Sequence, residues 1–198
     1  MGCQNCLTPE RITKFHQLAK EYGSEVSVCL VDNCGARSAN KGDMTSVSRA
    51  GSHPECTCVV HIHPEEDVPN RLYFSCMPSS RDISIVIQDA FNLVVQGYGK
   101  EEIAQYEDAV FYKCGYIVYS VADMQQLLDF MSQYDVTVSN MDSYLQDVFD
   151  EIKYKCLELH GATGATDLID RDAYLRDVKA RWIVFCSKIG VSMRETIL

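Results

Sequence analysis

The stretch CVVHIHPEEDVPNRLYFSCMPSSRD, residues 58–82, decides how this chain is read. It opens on the apolar run Cys58-Val59-Val60 and continues through His61-Ile62-His63 to Pro64. In a strand, residues i and i+2 share a face, so His61 and His63 project side by side while Ile62 faces the other way. Pro78-Ser79-Ser80-Arg81-Asp82 then leads into Ile83, Val86, Ile87, Ala90, Phe91, Val94 and Val95. That i, i+3, i+4, i+7 stripe predicts a helix stopped by Gly97 and Gly99. Ser79-x-x-Asp82 reads as a capping box variant, with Ser79 at the N-cap and Asp82 facing the positive helix end. A cap of this kind also fixes a carboxylate in one orientation. Two imidazoles on one face, joined by such a carboxylate, make a three-ligand zinc site with a fourth position left for water.

Working outward, the order of elements is α-β-β-β-α-β-β, then helices. Thr8-Pro9-Glu10 opens a helix carrying Ile12, Phe15, Leu18, Ala19 and Tyr22, closed by Gly23. Residues 25–32 read as a first strand, residues 44–47 as a weaker second one and residues 56–63 as the third. The loop 65–77 begins polar, and Leu72-Tyr73-Phe74 predicts that it folds back onto the body. Residues 109–113 and 116–120 flank Cys114-Gly115 as a hairpin. Beyond Ser120 the pattern predicts helices only: one through Met124–Met131, one along Met141, Leu145, Val148, Ile152 and Leu159, and one from Leu168 to Ile189. The expected class is α/β (α+β), a mixed β-sheet flanked by helices over residues 1–122 with a helical extension over 123–198.

With 198 residues, 46% hydrophobic and 23% charged, the chain can bury a sizeable core. The net charge of −10 argues against nucleic acid as a partner, because a phosphate-binding surface is basic. No apolar run approaches the length of a membrane span. The N-terminus lacks the basic and apolar regions of a secretory signal, and Cys6 stands where an acylation signal has Ser or Thr. A cytoplasmic protein is the expectation. Ten cysteines are many for such a protein. Cys29, Cys114, Cys156 and Cys186 sit in or beside apolar runs, where cysteine serves as a small hydrophobe. Cys3-x-x-Cys6 has redox or metal spacing. A thermophilic cytoplasm, where disulfides persist, also accounts for the count.

Taken together, His61-x-His63-Pro64 and Ser79-x-x-Asp82 resemble the metal motif of the JAMM (MPN-type) metalloprotease family, an upstream Glu followed by HxHP and SxxD. The resemblance covers about residues 10–120 and implies a cytidine-deaminase-like JAMM core. It implies zinc held by His61, His63 and Asp82, with Ser79 helping to hold the oxyanion or the bound water. Glu25, just after a helix and a glycine, stands where the family's general base sits, and Glu21 is its fallback. The implied activity is metal-assisted cleavage of an amide bond, in a peptide or in an isopeptide such as a conjugate to a ubiquitin-like tail. Two features depart from the family's pattern. Residues 65–78 form a longer connection than usual, and Val28-Cys29-Leu30-Val31-Asp32 lacks the Gly-Leu-Leu-x-Gly character often seen after the family's glutamate.

Two other readings use the same residues differently. Cys56, Cys58, His61 and His63 offer four ligands to a structural zinc, although alternation on one strand turns the cysteines away from the histidines. The C-terminal helices, with Trp182, offer an interaction face in a non-enzymatic module, against the commoner use of such stripes in core packing. His53-Pro54 reads as incidental.

Overall fold

Strand β3 (Cys58–Ile62) is buried along its whole length, because both of its faces are covered. A computed structural model describes residues 2–21, 24–31, 33–42, 47–64, 76–164 and 167–198. Before β3 come α1 (Cys3–Cys6), α2 (Pro9–Glu21), β1 (Val26–Leu30) and β2 (Ala36–Lys41). After it come α3 (Ser80–Val95), α4 (Lys100–Ile103), β4 (Glu107–Tyr112) and β5 (Gly115–Val121). The chain continues through α5 (Met124–Gln133), α6 (Met141–Leu159), α7 (Arg171–Lys188) and β6 (Val191–Ile197). The six strands form one mixed sheet in the order β2-β1-β3-β4-β5-β6. Among the described residues only β3 and β4 run parallel, and α3 and α4 lie in the crossover that a parallel pair requires.

Strand alternation sorts the core into two layers. Val28, Leu30, Cys58, Val60, Ile62, Ala109 and Phe111 point to one face and pack with Phe15 and Ala19 of α2. Val110, Tyr112, Ile117, Tyr119 and Val121 point to the other and pack with α3, α5, α6 and α7. That second layer holds Ile83, Val86, Ile87, Ala90 and Leu93, the inward stripe of α3, and also Trp182. Burying each large side chain of this kind contributes about 1.5–3 kcal/mol, so the layer fixes where α3 lies on the sheet.

The predicted mixed sheet with flanking helices is therefore present, with differences at its edges. Of the expected strand 44–47, residues 44–46 lie outside the described residues; the second strand is Ala36–Lys41, whose side chains are mostly solvent-facing. Its register comes from backbone pairing with β1, which no apolar pattern announces. The loop residues 65–75, including Leu72-Tyr73-Phe74, also lie outside the described residues. Helices alone were expected beyond Ser120, yet Val191–Ile197 returns as β6 and pairs antiparallel with β5. Gly190 makes this return possible. It has φ of +81°, and a Cβ there would collide with the Asp123 carbonyl.

Six cysteines form three disulfides: Cys3–Cys58, Cys6–Cys34 and Cys29–Cys56. This corrects two expectations. Cys29 is a cross-link rather than a free hydrophobe, and Cys3 and Cys6 belong to different bridges instead of forming one CxxC unit. Cys156 and Cys186 are free and fully buried, as a small hydrophobe would be.

Candidate metal centre

The pleat of β3 places His61 and His63 on the sheet face that carries α3, with ring centroids 6.3 Å apart. Asp82 reaches them from the first turn of α3. Ser79 is the N-cap of a complete capping box: the Asp82 N–H donates to Ser79 Oγ, and the Ser79 N–H donates to Asp82 Oδ2 at 2.8 Å. The Ser79 hydroxyl also donates to Oδ2, at 2.7 Å. These contacts hold the carboxylate from one side and leave Oδ1 facing His61, whose Nδ1 lies 3.0 Å away. The hydroxyl proton of Ser79 is thus engaged in orienting Asp82.

Among the described residues, His61, His63 and Asp82 are the group that could hold a metal ion, with one ligand atom from each lying within 4.8 Å of the others. Two donors on a tetrahedral zinc lie about 3.4 Å apart, so side-chain rotation alone brings this set to ligating distance. All three residues are less than 9% exposed. His61 Nε2 is buried with no hydrogen-bond partner, an arrangement that costs about 1–3 kcal/mol unless a ligand meets that nitrogen. Two imidazoles and a carboxylate form a donor set that could hold a metal ion, with Asp82 released from its hydrogen bond to His61 Nδ1.

Electrostatics in the pocket are strongly coupled. Burial disfavours a charged His61, but the hydrogen bond and charge of Asp82, with Asp108 and Glu25 behind, outweigh it and raise the ring above its ordinary pKa. Burial likewise opposes an ionised Asp82, yet His61, His63 and Ser79 hold the carboxyl well below the usual carboxylate range. In the metal-free protein the Asp82 carboxylate and the His61 ring thus support one another's charged forms across their 3.0 Å contact.

Glu25 immediately precedes β1. Val26 pairs with Ile62 and Ser27 with His61, so the antiparallel register sets Glu25 beside His63. Counting by twos from Ser27, its side chain belongs to the face of the two histidines. Glu25 is only 6% exposed, and its charge reaches His61. Glu21, the fallback, ends α2, and its side chain lies outside the described residues.

A second polar cluster lies against the same face. Arg49 Nη2 binds both oxygens of Asp108 at 2.8 Å, and Nη1 lies 2.5 Å from Asp89. His53 Nε2 is 3.0 Å from Asp108, and the His53 N–H donates to Asp89 at 3.1 Å. His53-Pro54 is thus an anchor, which corrects the reading of it as incidental: it pins the segment before β3 to α3 and β4. Burial works against an ionised Asp108, but the charge of Arg49 and the His53 hydrogen bond lower its pKa. Sequence reading missed this cluster. Its signal was present as charges set inside apolar patterns, Asp89 beside Ala90 and Asp108 beside Ala109.

Cys56 and Cys58 do not join the histidines. Cys58 is bonded to Cys3 in the α2 layer and Cys56 to Cys29 in the α3 layer, so neither sulfur is available to a structural zinc. Cys56 also lies ahead of β3, so strand alternation does not govern it. Trp182 is fully buried and serves the core rather than an exposed face. Among the described residues no helix is long and apolar enough to cross a membrane. No protein-family model, no curated protein and no solved structure matches this chain.

Proposed function

We propose that the chain is a zinc-dependent hydrolase of the JAMM type, with a JAMM-like core, that cleaves a peptide or isopeptide amide bond. The observation that carries the reading is the convergence of buried His61, His63 and Asp82, with buried Glu25 on the same sheet face. His61, His63 and Asp82 would hold the ion. Zinc bound there supplies Lewis acidity, which polarises a carbonyl and eases removal of a proton from water. Glu25 accepts that proton and returns it to the leaving amine. Ser79 first orients Asp82; assisting a developing oxyanion requires its hydroxyl to rotate away from Oδ2. Peptides and proteins, including ubiquitin-like conjugates, are the substrate class that the motif suggests. Three disulfides are sustained by an oxidising environment or by a thermophilic cytoplasm, and within the cytoplasmic reading the second is the consistent case.

The test measures bound zinc and amide hydrolysis together, using fluorogenic peptides and ε-amino-linked isopeptides. The wild-type protein should carry one zinc per chain and hydrolyse at least one of these substrates. Asp82→Asn should lose both properties. Glu25→Gln should keep its zinc and lose about 10²–10⁴-fold in rate. Retention of zinc by Asp82→Asn would refute the ligand set. A zinc-loaded protein whose Glu25→Gln variant cleaves at the wild-type rate would refute the base, and a zinc-loaded protein inert on the whole panel favours a non-catalytic metal-binding module.

A further inference from the structure

Trp182 lies in α7, a hundred residues beyond Asp82, yet its indole N–H donates to the carbonyl of Pro78 at 3.0 Å in a buried contact. The ring is fully buried and held between Phe149, 5.0 Å away at 57°, and Phe185, stacked at 5.6 Å and 13°. It has no room to swing aside.

The Pro78 carbonyl belongs to the same planar peptide unit as the Ser79 N–H, and that N–H donates to Asp82 Oδ2 at 2.8 Å. One rigid plane is thus gripped at its oxygen by Trp182 and at its nitrogen by the carboxylate. Proline fixes φ, so rotation about the Pro78 ψ bond is the soft motion by which this plane could tilt, and the indole hydrogen bond opposes that motion. Hydrogen bonds arranged in series through a peptide also polarise one another in a low-dielectric interior. Flanking contacts run the same way: Ser80 Oγ donates to Gln146 Oε1 at 2.6 Å, and Arg81 pairs with Asp142 at 2.6 Å. The arginine is largely exposed and contributes little, so the buried indole carries the restraint.

We propose that Trp182 is a positioning residue for the metal centre, acting through the Pro78–Ser79 peptide plane on Asp82. The inference rests on His61, His63 and Asp82 being the ligand set, and it makes α7 part of the centre. Metal affinity, rather than fold stability, is the property that distinguishes this role from simple packing.

The experiment measures zinc affinity by chelator competition on the full chain, at a temperature where circular dichroism shows every variant folded. Trp182→Phe removes the donor. Benzothienylalanine at position 182 removes only the donor, exchanging N–H for sulfur on the same bicyclic ring. Both should bind zinc about 10-fold more weakly, the lower end for a partner outside the ligand set. Leu127→Ala, which opens a cavity in the same core layer on α5, should stay within about twofold of wild type while losing thermal stability. Wild-type affinity in the benzothienylalanine protein, or an equal loss in Leu127→Ala, overturns the proposal. Absence of zinc from the wild-type protein, or its retention by Asp82→Asn, overturns the ligand set and this inference with it. Normal zinc binding that depends on Asp82 and ignores position 182 removes only the positioning role.

Discussion

Replacing Arg49 by Met tests whether the buried charge cluster beside the candidate metal centre is held as the structure shows. Arg49 is 11% exposed at its side chain and neutralises two carboxylates, Asp89 and Asp108, that are 8% and 5% exposed. Methionine fills much of the volume but leaves both acids without their cation. Breaking a buried ion pair from one side costs about 3–5 kcal/mol. Here the loss should fall near the lower end, because His53 Nε2 remains 3.0 Å from Asp108 and its backbone N–H remains on Asp89. A loss of about 3 kcal/mol lowers Tm by roughly 6–12 °C for a chain this long. The pH dependence identifies the cause. In the wild type, the folded pKa of Asp108 is depressed, so its contribution is present above the unfolded carboxylate value and is lost only as pH falls through the folded one. Without Arg49 the largest influence opposing burial is gone, so the folded pKa of Asp108 rises and the variant is penalised less as pH falls and Asp108 takes up a proton. The difference between the two proteins should therefore narrow from pH 7 to pH 4 in urea titrations. A loss below about 1 kcal/mol, or one that stays constant across that range, refutes the description of the cluster.

Two further outcomes follow from the disulfides and from His61. Replacing Cys29 and Cys56 together by serine opens a loop of sequence separation 27; loop-closure entropy puts the loss at about 3.5 kcal/mol, measured as a shift in the urea midpoint at constant slope. An unchanged midpoint would show that this bridge does not constrain the unfolded chain. His61 has a raised folded pKa in the metal-free protein, so protonation stabilises that state below the unfolded histidine value and ceases to do so as pH rises through the folded one. Zinc must displace that proton, and its apparent affinity should be at least about 10-fold weaker at pH 5.5 than at pH 7.5. Equal affinities at the two values would exclude His61 as a ligand.

What could be read from the sequence was what short-range geometry dictates. The two-residue spacing of His61 and His63, the three-residue spacing of Ser79 and Asp82 and the stripe of α3 are local patterns, and the structure reproduces each. Glu25 was singled out by the family resemblance, as the first residue of an expected strand 25–32; in the structure β1 begins one residue later, at Val26. Edge strands were harder. β2 reads Ala-Arg-Ser-Ala-Asn-Lys, and β6 follows α7 with only Ile189 and Gly190 between them. Their side chains carry little burial signal because each has a neighbour on one side only. The cysteine pairings and the Arg49 cluster join residues 27 to 59 positions apart, and no periodicity within either segment reports the other. The Trp182–Pro78 hydrogen bond spans 104 positions and is invisible for the same reason.

The placement of α7 and β6 has a consequence in time. A ribosome delivers His61, His63 and Asp82 well before residue 182, and at about 5–20 residues per second the interval is roughly 5–20 s. During it the emerging chain has the side chains of the cluster but not the indole that meets the Pro78 carbonyl, nor the strand that completes the sheet beyond β5. A nascent chain therefore carries an unfinished cluster, whose last neighbours arrive only with the segment that closes the fold.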